Sequence, residues 1–155
     1  PGDERLRLKA VRIISADKVT GEVDISKEIQ IEIDYWNLEP DKRRIVGIHL
    51  YNSMGVCVLI SANWPSGIIT PDPWYDLPYP RGVFRSTCTL PGNFLNDGLY
   101  TIGVAFAVSQ TENIVFARDV ISFWVIDTGS MRKEYSGQWS GVIRPRLDWK
   151  TIQIS

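Results

Sequence analysis

The chain has 155 residues, with 17 Lys and Arg against 18 Asp and Glu, a formal net charge of −1, and 44% hydrophobic residues. That length suits one domain with a single sizeable core, and the near-zero charge gives no global field to attract nucleic acid or an anionic membrane. No apolar run approaches the roughly 20 residues that span a bilayer, and no signal-peptide pattern opens the chain.

Pro1-Gly2-Asp3-Glu4 is a polar start that reads as a linker remnant of a larger protein. Arg5 to Ala10 then alternates charged and apolar residues before Val11-Arg12-Ile13-Ile14, and its basic side chains discourage pairing at an exposed edge. Glu28 to Trp36 is the clearest strand. Period two places Ile29, Ile31, Ile33 and Tyr35 on the core face, with Glu28, Gln30, Glu32, Asp34 and Trp36 outward. Ile45 to Tyr51 and Val56 to Ser61 flank Asn52-Ser53-Met54-Gly55, a hairpin loop with glycine at the left-handed position. Val46, Ile48 and Leu50 share one face of the first of these strands, leaving Ile45, His49 and Tyr51 on the other.

Gly82 to Leu90 is a further strand, alternating Phe84, Ser86, Cys88 and Leu90 with Val83, Arg85, Thr87 and Thr89. The breakers Pro91-Gly92-Asn93 and Asn96-Asp97-Gly98 lead into Leu99 to Val108, where Tyr100, Ile102, Val104, Phe106 and Val108 line one side. Ile114 to Ala117 and Val120 to Ile126 complete the main body. No segment keeps a 3.6-residue period, so the predicted fold is all-β: an immunoglobulin-like or jelly-roll antiparallel sandwich of one domain over 1–155. A polar connector over 127–138 precedes a last predicted strand over 139–149, which can return to its own sheet or cross to a partner's. The two cysteines, Cys57 and Cys88, lie in strand-like runs and are read as buried thiols of a reducing, cytoplasmic compartment.

Machinery for catalysis is nearly missing. His49 is the only histidine, so neither a histidine triad nor a multi-histidine metal site can be assembled. There is no phosphate-cradling glycine loop and no CxxC, and no cofactor or metal is expected. Asp72 and Asp76 bracket Trp74 and offer a carboxylate pair of glycosidase or calcium type, but loop aspartates more often cap turns.

Aromatic residues supply the positive signal. The stretch from Asn63 to Arg81 holds Pro65, Pro71, Pro73, Pro78 and Pro80 together with Trp64, Trp74, Tyr75 and Tyr79. A long loop of this kind is functional or disordered, and rigid prolines among large rings argue against disorder. A pyranose ring stacks its apolar C–H face on Trp or Tyr, while its hydroxyls need donors and acceptors close by. The candidate ligand residues are therefore Asn63, Trp64, Asp72, Trp74, Tyr75, Asp76 and Tyr79 in the loop, with Arg81 and Arg85 at its exit. Outward Trp36, His49 and Tyr51 form the alternative set on a sheet face. The same rings equally suit packing of the loop onto the sheet, or a protein interface.

The run Gly82-Val83-Phe84-Arg85-Ser86-Thr87-Cys88-Thr89-Leu90-Pro91-Gly92-Asn93-Phe94-Leu95-Asn96-Asp97-Gly98-Leu99-Tyr100 follows a glycine hairpin, Ser61-Ala62-Asn63 and an aromatic loop. With the ending Gly141-Val142-Ile143-Arg144-Pro145-Arg146-Leu147-Asp148-Trp149, this order resembles the C-terminal domains of Wzt-type ATPases, the nucleotide-binding subunits of polysaccharide (O-antigen) ABC transporters. The resemblance implies a non-catalytic domain that binds the exported glycan, often at its modified non-reducing end. It also implies a homodimer made by exchange of the C-terminal strand, and a parent protein that meets a membrane-spanning subunit at the bacterial inner membrane. The ATPase domain would lie upstream, so ATP binding is not expected of this stretch.

Overall fold

A computed structural model of the chain describes residues 1–109, 112–129 and 138–153. Nine strands occur among them: β1 (Leu6–Ser15), β2 (Lys18–Val19), β3 (Glu22–Asp24), β4 (Ile29–Asn37), β5 (Ile45–Asn52), β6 (Cys57–Ala62), β7 (Gly82–Leu90), β8 (Gly98–Ser109) and β9 (Glu112–Ile126). They form a four-stranded sheet in the order β2-β1-β4-β7 and a five-stranded sheet in the order β3-β9-β8-β5-β6. This is the expected β-sandwich. Every pairing is antiparallel except β3 with β9, which is parallel and makes the larger sheet mixed. No helix among the described residues is long and apolar enough to cross a membrane.

The alternation that defines β4 sets the core. Ile29, Ile31, Ile33 and Tyr35 are buried and meet Val46, Ile48 and Leu50 of β5 and Tyr100, Ile102, Val104 and Phe106 of β8. Each such side chain contributes about 1.5–3 kcal/mol when fully withdrawn from water. The Tyr35 ring lies 4.9 Å from that of Phe106, which ties the two sheets together at their centre. β4 pairs with β7 over nine consecutive residues without a bulge, from Ile29 opposite Leu90 to Asn37 opposite Gly82.

Two features differ from the sequence reading. Cys57 is exposed at the start of an edge strand and Cys88 is only partly buried, and both are free thiols. The strand expected over 139–149 does not form within a single chain: residues 138–153 make one isolated bridge, Ile143 to Leu95. The connector expected over 127–138 lies outside the described residues from 130 to 137.

The tail is nevertheless anchored. Asn96 donates from Nδ2 to the carbonyls of Trp139 (2.8 Å) and Gly141 (2.6 Å), and the Arg144 amide donates to Phe94 O at 2.7 Å. Arg144 and Asp127 form an ion pair at 2.9 Å with both side chains almost fully buried, and the guanidinium lies over the Trp139 ring. The Gly82–Tyr100 and Gly141–Trp149 stretches, far apart in sequence, are therefore in contact. Asp127→Ala leaves the buried guanidinium without this carboxylate. Urea denaturation is expected to show a loss of about 3–5 kcal/mol. A loss below about 1 kcal/mol, the scale of an exposed pair, would show that the bridge does not hold the tail.

Candidate functional site

The structure distributes the twelve candidate residues over three places. The first is the loop between β6 and β7, which contains one 3-10 turn, Pro65–Gly67. Tyr79 is 1% exposed and bridges to Lys42, so its ring belongs to the core and is closed to a ligand in this conformation. It packs 4.6 Å from Phe84 and 5.2 Å from Trp74, and Trp74 in turn meets Phe84 edge-on at 5.1 Å. Such pairs are each worth about 1 kcal/mol beyond area burial. The Tyr79 hydroxyl is turned inward as well, accepting from the Tyr35 hydroxyl at 3.4 Å in an interior that raises the pKa of both phenols, chiefly by burial.

The loop's polar residues are equally committed. Asn63 accepts from the Val46 amide and donates to Asp72 at 2.9 Å, while Asp72 accepts from the Trp74 amide in an Asx turn. Asp76 adopts a positive φ of 60° and pairs with exposed Arg43. The two carboxylates thus serve the loop's own geometry. Trp64 and Tyr75 are half-buried, with Gly67 set close against the Trp64 ring, and Arg81 is exposed. Among the described residues no group of three or more His, Cys, Asp or Glu side chains is arranged to hold a metal ion.

The second place is the outer face of the four-stranded sheet. Trp36 lies there at 38% exposure with the Lys9 ammonium 5.5 Å from its ring centre. Arg85 is beside it but already occupied. It donates to Asp34 from Nε at 2.7 Å and Nη2 at 3.0 Å, while Arg12 reaches the same carboxylate at 2.8 Å. These charge-assisted bonds, with the Arg85 pair the largest influence, hold the Asp34 carboxyl well below the usual carboxylate range despite burial.

The third place is the outer face of the five-stranded sheet, and here the side chains converge on open space. Cross-strand register lays them out in rows: Cys57, Tyr51, Thr101 and Ser122 in one, and Ala62, Gly47, Ala105 and Phe116 in another. Between these rows His49 lies opposite Gly103. Gly103 is closely packed, since a Cβ there would come within 3.3 Å of both the Phe116 ring and the Ala117 carbonyl, tighter than ordinary van der Waals contact. The freed space lets the Phe116 ring approach His49 to 4.5 Å, and His49 stacks beside Tyr51 at 6.3 Å. Burial, followed by the nearby Arg118 charge, lowers the His49 pKa, so the imidazole is neutral at pH 7.

A bulge completes this face. Ile102 pairs with Ile121 and Val104 with Ala117, so β9 carries extra residues there, and Asp119 takes φ of 50°. The irregularity turns Arg118 over the rings of Tyr51 (5.4 Å) and Phe116 (5.8 Å). Tyr51, Asn52, Ser53, Gly55, Leu99, Thr101, Arg118 and Asp119 line a depression of about 370 Å³ beside it. Leu99 lies opposite Trp124, which is 49% exposed at its far end. Sequence reasoning placed His49 and Tyr51 outward but missed Phe116, Arg118 and Trp124. The outward positions opposite buried Phe123 and Val125 were a usable signal for Trp124; the bulge concealed Arg118.

No protein-family model matches the sequence, and no curated protein matches it. Among solved structures, the C-terminal domain of Wzt is similar over 97% of this chain and 86% of its own, at 15% identity and a TM-score of 0.75. A bacterial adhesin from Mobiluncus mulieris matches 80% of this chain and 58% of its own, at 9% identity and a TM-score of 0.46. The fold is that of the Wzt C-terminal domain, the same domain type that the sequence resembles.

The Asp34 cluster gives a pH test. A folded-state pKa below the unfolded value of ~3.9 adds stability that is fully present above that value. The contribution is lost as pH falls through the folded value, so it disappears on the acid side of about pH 4. Urea unfolding of the native protein from pH 7 to pH 2 is expected to show an acid decline that Asp34→Asn flattens. An unchanged decline in the variant would remove Asp34 as its source.

Proposed function

We propose that the domain binds carbohydrate without turning it over, and that it does so on the outer face of the five-stranded sheet. The observation that carries the reading is the row of rings formed by His49, Tyr51 and Phe116, set above the small residues Gly47, Gly103 and Ala105. That arrangement offers aromatic surface for the apolar face of a pyranose, beside the guanidinium of Arg118 and the depression that Tyr51 lines. Hydroxyls of Thr101 and Ser122, 3.0 Å apart, and the polar side chains of Asn52 and Asp119 supply hydrogen-bonding partners at the edges.

The likeness to the Wzt C-terminal domain supports a role within a polysaccharide ABC transporter. On this reading the ligand is an O-antigen polysaccharide recognised at its non-reducing end. The domain is one part of a polypeptide whose ATPase portion lies upstream and engages a membrane-spanning subunit on the cytoplasmic side of the inner membrane. Homodimerisation through the C-terminal segment belongs to the same proposal. Its support is the tail beyond Arg144, where Leu147, Trp149 and Ile152 stand 70%, 90% and 67% exposed, more apolar surface than a segment with no partner is expected to leave in water.

The loop-centred alternative, including its use as a protein interface, has less support, because Trp74 and Tyr79 spend their rings on Phe84. Calorimetric titration with glycans selected from an array separates the two. Tyr51→Ala or Phe116→Ala is expected to weaken binding by about tenfold, equivalent to ~1.4 kcal/mol, without unfolding the domain. Trp74→Ala is expected to lower the thermal midpoint and leave affinity unchanged. The reverse pattern would move the site to the loop.

A further inference from the structure

We infer that the sheet-face site is built for a glycan carrying negative charge, and that Arg118 is its specificity-determining residue. The inference rests on the carbohydrate reading above and goes beyond it by naming the ligand's charge.

Arginine after arginine in this fold has its charge met by a carboxylate. Arg5 pairs with Asp3 and Glu112, Arg12 and Arg85 with Asp34, Arg43 with Asp76, Arg44 with Glu39, and Arg144 with Asp127. Arg118 differs. Among the described residues no carboxylate lies within ion-pair distance of it, and its contacts are the faces of Tyr51 and Phe116. Stacking of that kind fixes the plane of a guanidinium while leaving its N–H edge free to donate. The side chain also borders the depression lined by Tyr51 and Thr101, so the free edge is next to where a sugar on the aromatic floor would lie.

Its placement is imposed by the backbone. Extra residues between Ala117 and Ile121, with Asp119 in the left-handed region, make one of the register shifts of the β8–β9 ladder, and it is the one that lies beside Tyr51 and Phe116. Asp119 itself lines the depression and brings the only carboxylate among its lining residues, and it makes no ion pair with the guanidinium. Neutral His49 adds no second positive charge, which leaves Arg118 as the cation of the platform. A planar fork of N–H donors suits the carboxylate of a uronic acid and the oxygens of a phosphate ester alike.

The test is an array and titration series pairing each neutral oligosaccharide with its uronic-acid and its phosphorylated counterpart. The native protein is expected to bind an acidic member roughly ten- to hundredfold tighter than its neutral pair, the range that a hydrogen bond to a charged group spans. The advantage should shrink as salt is raised. Arg118→Gln should abolish the advantage, read as the ratio of acidic to neutral affinity within the same variant, and Arg118→Lys should restore part of it. Whether the uronic or the phosphorylated arm gains more identifies the anion. Glycan binding that is indifferent to charge, or an acidic preference that survives Arg118→Gln, overturns the inference and leaves carbohydrate binding standing. Absence of binding to every member overturns both.

Discussion

Successive side chains of a strand point to opposite faces, and a sheet that buries one face has no freedom left in what it presents on the other. In this sandwich Ile29, Ile31, Ile33 and Tyr35 go inward together with Val46, Ile48 and Leu50. Slipping β5 by one residue would put His49 and Tyr51 into the core and expel Ile48 and Leu50, at several kcal/mol for the aliphatic pair alone. The aromatic platform on the five-stranded sheet is therefore a consequence of core packing. The same constraint forces Trp36 outward on the opposite sheet, so Trp36 and Tyr51 stand on opposite outer faces of the sandwich.

Against that regular background, departures from the ladder are informative. β4 and β7 pair through nine residues with no irregularity, and on their outer face Arg12 and Arg85 are balanced by Glu32 and Asp34. The β8–β9 ladder instead shifts register, and one shift lies where Arg118 turns over Tyr51 and Phe116. Gly103, which accommodates Phe116, lies between the two pairs that flank this bulge. Strand geometry, a glycine and a bulge act at the same spot.

Much of the fold was legible because long strands state their periodicity. The inward sets of β4, β5 and β7, and of β8 as far as Phe106, follow directly from alternation, as does the exposure of Trp36; beyond Phe106 the register shifts and Ala107, not Val108, is buried. β2 and β3, two and three residues long, carry too few positions for any period to register, and the parallel pairing of β3 with β9 left no local trace. The proline-rich loop was hard to read for a different reason. An aromatic residue in a loop has the same sequence signature whether it faces water or closes a core: Tyr79 is buried against Phe84, whereas Trp74 meets Phe84 edge-on and keeps 39% of its surface exposed. Buried Arg44 and Arg144 were hidden likewise, since their partners Asn37, Glu39 and Asp127 are brought near by folding alone. The Asn96 contacts explain why two distant stretches carried the resemblance jointly: the second is docked on the turn that ends the first.

The central claim is that the ligand lies on the outer face of the five-stranded sheet. Amide and side-chain NMR shifts recorded while the protein is titrated with an array-selected glycan test it most directly. The largest perturbations are expected at His49, Tyr51, Thr101, Phe116 and Arg118, with Trp36 and residues 63–81 unmoved. Perturbations concentrated at Trp64, Trp74 and Tyr75, or around Trp36, would contradict it.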